Sequence, residues 1–100
     1  MADDIRVSLR RLFEVALHDT GQSRRVADFL LAWQDGNENG GWNPADLWAL
    51  DQELAIDLTY CVLFIREHHG AYPGDLGFKK QIELVWKLWR EPVAEARDAT

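Results

Sequence analysis

The residues 35–46, "DGNENGGWNPAD", carry side chains whose types and spacing could hold a cation. Counted from Asp35, oxygen-bearing groups fall at Asp35, Asn37, Asn39, the Gly41 carbonyl, Asn43 and Asp46, with Gly40 at the place of a sharp turn. An EF-hand calcium loop takes its ligands from the same positions in the same order. Three features weaken the match. The last ligand is Asp46, whose arm is shorter than that of the usual bidentate glutamate; Pro44 fixes the backbone where the loop must enter the next helix; and only two carboxylates would reach the ion. The same letters also read as a connection. Asn and Gly supply positive φ angles, Asn43-Pro44 starts a helix, and Asp46 three residues on forms a capping-box-like pair with Asn43. No second loop of this kind is found, and EF-hands usually pair. The connection is the leading reading, with a calcium-binding EF-hand-like module on Asp35, Asn37, Asn39, Gly41, Asn43 and Asp46 as the alternative.

Other chemistry is sparse. Cys61 lies in the apolar run "LTYCVLFI" and reads as a buried small hydrophobe. His68 is seven residues further on, about two helical turns or roughly 10 Å away, too far to act on a thiolate. His68 and His69 end a helical pattern, where a cationic side chain suits the negative end of the dipole. There is no C-x-x-C, HExxH, G-x-S-x-G or phosphate-cradling glycine loop. The expectation is a protein that is not an enzyme and uses no cofactor. Five tryptophans and the stretch "KLWRE" suggest base stacking, but Trp86 and Trp89 share the stripe of Ile82 and Val85, which makes them core residues by spacing.

Charge is unevenly placed. The net charge is −6, and residues 35–69 hold Asp35, Glu38, Asp46, Asp51, Glu53, Asp57 and Glu67 against the one base Arg66, while the flanking segments are balanced. Such a field repels nucleic-acid phosphates and attracts cations or basic protein surfaces. Asp35, Glu38, Asp46, Asp51 and Glu53 are therefore the expected face for a basic protein partner, with no direct nucleic-acid binding. A solvated surface without a partner is the competing account.

The elements that must position these residues read as helices throughout, so the expected fold is all-α: a small compact bundle of four to five helices around a central apolar helix. Residues 1–91 form a single helical domain and 92–100 a frayed C-terminal tail. Ile5, Leu9, Leu12, Phe13, Ala16 and Leu17 share one helix face, with Asp3 and Asp4 at its N-terminal end. After a break at Gly21, with Thr20 or Ser23 as N-cap, a second helix turns Val26, Phe29, Leu30 and Trp33 inward until "DGNENGG" ends it. A short helical turn "PADLWAL" follows, and Asp51 opens a long helix reaching His69. That helix is apolar on two faces, Leu54, Leu58, Cys61, Val62 and Ile65 on one and Ile56, Tyr60, Leu63 and Phe64 on the other, so it is expected at the centre. If its second face is not covered by the first helix, Ile56, Tyr60, Leu63 and Phe64 would pair across a two-fold axis in a homodimer. The last helix, about residues 76–90, faces Phe78, Ile82, Val85, Trp86 and Trp89 inward and Lys79, Lys80, Glu83, Lys87 and Arg90 mostly outward, and Pro92 ends it. The opening "MADDIRVSLRR" has no signal-length apolar run and no stretch is long enough for a membrane span, so a cytoplasmic location without membrane partners is expected.

The succession "SRRVADFLLAW", "GGW", "DLWALD", an apolar helix ending before "AYPGDLGF", and "VWKLWR" resembles a family of short uncharacterised proteins carried by proteobacterial plasmids, integrative elements and phages, over about residues 20–90. The resemblance implies that the loop before "GGW" is not a calcium loop. It brings no assigned function, but it implies a setting in which small acidic proteins occupy a host protein, as anti-CRISPR inhibitors of host defence do.

Overall fold

Capping chemistry sets where each helix begins. A computed structural model describes the backbone of residues 2–98 and the side chains of residues 5–94. Among these residues there is no strand, and the elements are α1 (Ala2–Ala16), α2 (Gly21–Asn39), a 3₁₀ segment (Pro44–Ala49), α3 (Gln52–Glu67), a 3₁₀ turn (Pro73–Leu76), α4 (Lys79–Trp89) and α5 (Glu91–Asp98). No helix among them is long and apolar enough to cross a membrane. Thr20 is the N-cap of α2: its backbone is extended and its Oγ1 accepts the Ser23 N–H at 3.0 Å. Asn43 caps the 3₁₀ segment by accepting the Ala45 N–H at 3.0 Å, and Pro44 takes the first position, where a missing N–H is harmless. The side chains of Asp3 and Asp4 lie outside the described residues.

The central element is α1, not the long helix that the sequence pattern places there. The arc of Ile5, Ser8, Leu9, Leu12, Phe13 and Ala16 is buried throughout and is wide enough to meet α2, α3 and α4. Phe13 stacks on Phe78 at 5.1 Å, and the Trp89 indole donates to the Ala16 carbonyl at 2.7 Å, satisfying one of the orphan acceptors at the end of α1. Leu17 follows the helix end and is exposed. From α2, Val26, Ala27, Phe29, Leu30, Leu31 and Trp33 are buried against this core, and from α4, Phe78 just before its first turn and Val85 within it, with Ile82, Trp86 and Trp89 partly buried.

Helix α3 packs on α1 from one side only. It buries Leu54, Asp57, Leu58, Cys61 and Phe64, while Val62 and Ile65, expected inward, are exposed. Ile65 is in line with Leu58 and Cys61 but one turn further along the helix, and for Val62 the reason is Asp57. Its carboxylate is buried, accepts Ser8 Oγ–H at 2.9 Å, and receives a two-pronged contact from Arg11, Nε at 2.8 Å and Nη2 at 2.7 Å. A buried carboxylate is tolerated only where it is paired and hydrogen-bonded, so the Asp57 face of α3 must turn toward α1. Residues 14–15 of α1 lie beside 51–54 and residues 7–8 beside 56–60, so the two helices run antiparallel.

Two further expectations are corrected. Residues 91–98 form α5 in place of a frayed tail, with Pro92 in its first turn, where proline fits; Ala99 and Thr100 lie outside the described residues. Arg90 does not point outward: its Nη2 meets Asp28 at 2.7 Å and its Nε donates to the Asn39 carbonyl at 3.0 Å, tying the end of α4 to both halves of α2.

Asp57→Ala should strand Ser8 and Arg11 and lower stability by roughly 2–4 kcal/mol, a fall in Tm on the order of 10 °C, in thermal unfolding followed by circular dichroism. Ser8→Ala should cost only about 1 kcal/mol. An Asp57→Ala protein that melts with wild type would show that α3 docks without this contact.

Candidate functional site

Turning Asp57 inward leaves the opposite side of α3 in solvent. Ile56 and Leu63, two turns apart, are 59% and 61% exposed. With Gln52, Ala55, Thr59 and Tyr60 they line an open groove of about 410 Å³. It continues toward α1 past Val7, also exposed, and toward the helix end past Glu67 and His68. Of the residues expected to self-associate, Ile56 and Leu63 stand free in this groove and Tyr60 is half-buried. Phe64 belongs to the core: its ring is tilted against Trp33 at 6.2 Å and covered by His68 at 4.0 Å. His68 Nδ1 also lies 3.1 Å from the Phe64 carbonyl, a cap on the C-terminal turn.

The acidic residues do not form one face. Asp51 and Glu53, at the head of α3, join Glu14 of α1 around a cleft of about 300 Å³ floored by the Arg11–Asp57 pair and Gln22. The Asp57 hydrogen bond first and its charge second hold Arg11 still more firmly protonated, with a smaller contribution from Glu53. Arg11 is thereby occupied, and Glu14, Asp51 and Glu53 dominate the mouth of the cleft. Asp46 lies 3.6 Å from Arg25 and is largely neutralised by it. Asp35 and Glu38 sit at the far end of α2, thirteen residues beyond Gln22 and so ~20 Å along the helix. The structure thus groups Asp51 and Glu53, adds Glu14, and leaves Asp35, Glu38 and Asp46 elsewhere. Glu14 could not be found from sequence spacing, because only the antiparallel packing of α1 on α3 brings it there.

In the stretch 35–46 the backbone is largely committed to other work. Asp35 departs from helical geometry (φ −164°, ψ 90°), and its Oδ1 accepts the Glu38 N–H at 3.1 Å, so it is the N-cap of a last helical turn ending at Asn39. The break expected over "DGNENGG" is therefore a kink at Asp35 followed by one more turn. Asn39 donates to the Leu31 carbonyl at 3.0 Å, Asn43 caps the 3₁₀ segment, and Asp46 turns to Arg25 instead of completing a capping box. Asp35, Asn39, Asn43 and Asp46 are thus each engaged in a separate local contact, and these side chains do not converge as calcium ligands must. Among the described residues no group of three or more His, Cys, Asp or Glu side chains is placed to hold a metal ion.

Cys61 is buried, and its thiol is pushed up to about 12, by desolvation first and by the Asp57 charge second. A thiol so protonated is a poor nucleophile. Trp48 is the opposite case. It stands 90% exposed on the 3₁₀ segment, three residues before the Asp51 cap of α3, although an indole is costly to leave in water.

A protein-family model described as "Family of unknown function (DUF7673)" matches residues 6–90, and the chain belongs to that family. The match spans every motif on which the resemblance to an uncharacterised family rested. No curated protein and no solved structure gives a significant match.

Native Cys61 should resist thiol reagents near pH 8 and react only at the rate of unfolding. Because its folded value lies above the ordinary 9.0, its contribution to stability is whole below pH 9 and is lost as pH rises toward about 12. The stability advantage of wild type over Cys61→Ala should accordingly narrow across that range in denaturant titrations. Asp35→Ala should cost about 1 kcal/mol through loss of its cap, with no calcium-dependent heat to lose in calorimetry. A calcium heat abolished by that substitution would restore the metal reading.

Proposed function

We propose that this member of the family is a protein-interaction module, without catalytic activity, whose α3 face receives an amphipathic helical segment carrying basic residues from a partner protein. The observation that carries the reading is the exposed apolar strip of Ile56, Tyr60 and Leu63, flanked along α3 by Glu53 one turn before Ile56 and by Glu67 one turn after Leu63. An amphipathic helix laid in a groove presents apolar anchors at helical spacing, and exposed apolar strips bordered by charge are typical docking surfaces. Each large side chain buried there contributes ~2 kcal/mol before association costs. The acids at its ends select a basic segment, speed encounter and disfavour nucleic acid. Trp48 adds an exposed aromatic close in sequence to the Glu53 end, of a residue type enriched among energetic anchors and suited to stacking on Arg or Lys.

The wider role belongs to the same proposal. A chain of 100 residues and net charge −6 suits occupation of a basic surface on a host protein, including the nucleic-acid-binding groove of a defence complex, by an element carried on plasmids, integrative elements or phages and acting in the cytoplasm. What supports this is size, charge and the sequence resemblance.

Fluorescence anisotropy with a labelled leucine–lysine amphipathic peptide tests the reading. Saturable binding is expected, weakened about tenfold or more by Ile56→Asp or Glu53→Lys and by added salt. Equal binding of a leucine–glutamate peptide, or affinity unchanged by Ile56→Asp, would sink it.

A further inference from the structure

The chain between the end of α2 and the start of α3 is fastened firmly at both ends and lightly in the middle. Between Trp33 and Leu54 no residue is fully buried. At the near end the Asn39 side chain holds the Leu31 carbonyl, and the Asn39 carbonyl accepts Arg90 Nε–H. At the far end the Asp51 N–H donates to the Gln22 side chain, whose amide donates back to the Asp51 carboxylate at 3.3 Å. From Trp42 to Leu50 the attachments are weaker. The Trp42 ring meets Phe29 edge-on at 5.1 Å, the Arg25–Asp46 pair stands at 3.6 Å, and Leu47 and Leu50 are only partly buried. Trp48, on the same segment, points into solvent and adds nothing to the seat. The indole N–H groups of Trp33 and Trp89 are bonded to carbonyls, whereas that of Trp42 is enclosed and finds no acceptor among the described residues. Its seated position therefore carries a desolvation cost that lifting relieves.

The same segment is built to move in one piece. Its hydrogen bonds are internal: Asn43 receives the Ala45 N–H on its side chain and the Asp46 N–H on its carbonyl, and the Leu47 carbonyl receives the Leu50 N–H. It keeps these bonds when it leaves α2. Gly40, with φ of 88°, and Gly41 precede it, and apart from chain neighbours nothing lies within 4 Å of where a Cβ would stand on either. At the other end Leu50 has extended backbone. From this contrast we infer that residues 42–50 are a strap that lifts from α2 as a unit while the helices stay packed, uncovering the edge of Phe29, which is 3% exposed when the strap is seated. A segment held by few apolar contacts opens far more often than the whole domain unfolds. This device is independent of the α3 docking surface.

Hydrogen exchange of the indole N–H groups and backbone amides of the full chain, followed by NMR and referred in each case to the rate in the unfolded chain, provides the test. The Trp48 indole should be unprotected. The Trp42 indole should be protected, but about tenfold or more less than the amides of Leu12 and Phe13 in the core of α1, and low concentrations of denaturant should barely change it, because lifting exposes little surface. Ser8→Ala, which weakens the α1–α3 contact, should speed Leu12 and Phe13 about fivefold and leave Trp42 as it was. Leu47→Ala, on the strap but not on the indole, should speed Trp42 about fivefold or more. Gly41→Ala, which stiffens the joint without a clash, should slow Trp42 about two- to fivefold. The inference is overturned if Trp42 is protected as strongly as Leu12 and Phe13, if it is as unprotected as Trp48, or if Ser8→Ala speeds all three protected groups alike. It is equally overturned if Leu47→Ala and Gly41→Ala both leave Trp42 at its wild-type rate, since the event is then the flip of one side chain.

Discussion

One buried carboxylate determines which way this molecule faces. Helix α3 is apolar around most of its circumference, and on hydrophobic grounds alone several rotations about its axis would bury similar area against α1. Asp57 breaks that degeneracy. It can be buried only where Ser8 and Arg11 meet it, on one face of α1 and at one height along it. Once that contact forms, Leu54, Leu58, Cys61 and Phe64 go inward and Ile56 and Leu63 have nowhere to go but out. The exposed strip is thus the geometric complement of a polar contact on the other side of the helix, and no separate cause is needed to explain why apolar residues are left in water.

Much of the remaining charge is spent in the same structural way. Asp28 holds Arg90, which also takes the Asn39 carbonyl, so the kinked end of α2 is fastened to the end of α4. Asp46 meets Arg25, and Gln22 exchanges hydrogen bonds with Asp51 on both its backbone and its side chain, joining the start of α2 to the start of α3. Gly74 donates to Gln34 and the Trp33 indole to the Ala71 carbonyl, which seats the 73–76 turn against α2. After these commitments Glu53 and Glu67 are the acids beside the exposed strip of α3, with Glu14 in the neighbouring cleft. A count of charge along the chain therefore overstates the acidic surface: the sum is correct, but its members point in different directions.

How far the sequence could be read follows from which forces are local. Helix identities, the Thr20 and Asn43 caps, the inward stripe of α4 and the burial of Cys61 all follow from spacing and nearest-neighbour chemistry, and each is present in the structure. The position of α3 was not legible, because overall apolarity suggested a centre and only the tertiary partnership of Asp57 with α1 shows an edge. The stretch 35–46 reads two ways for a related reason. Its oxygens have the spacing of a cation loop, but Asp35 caps one helical turn and Asn43 another, and a cap and a ligand are written with the same residues. Of the groove, Ile56, Tyr60 and Leu63 could be named from periodicity; Glu14 and Val7 could not, since they come from another helix.

The placement of α1 also bears on how the chain reaches this state. The central helix is the first element along the chain, and the groups that close over it come late: Phe78 stacks on Phe13, and the Trp89 indole reaches back 73 residues to the Ala16 carbonyl. During synthesis the apolar arc of α1 therefore waits through most of translation with only α2 and then α3 to shelter it. Local helix formation is fast, but the contacts that seal the core are long-range, and closing loops of this length raises the folding barrier. The protein is thus a helical bundle whose last step resembles the closure of a ring, and that step cannot begin until α4 has emerged from the ribosome.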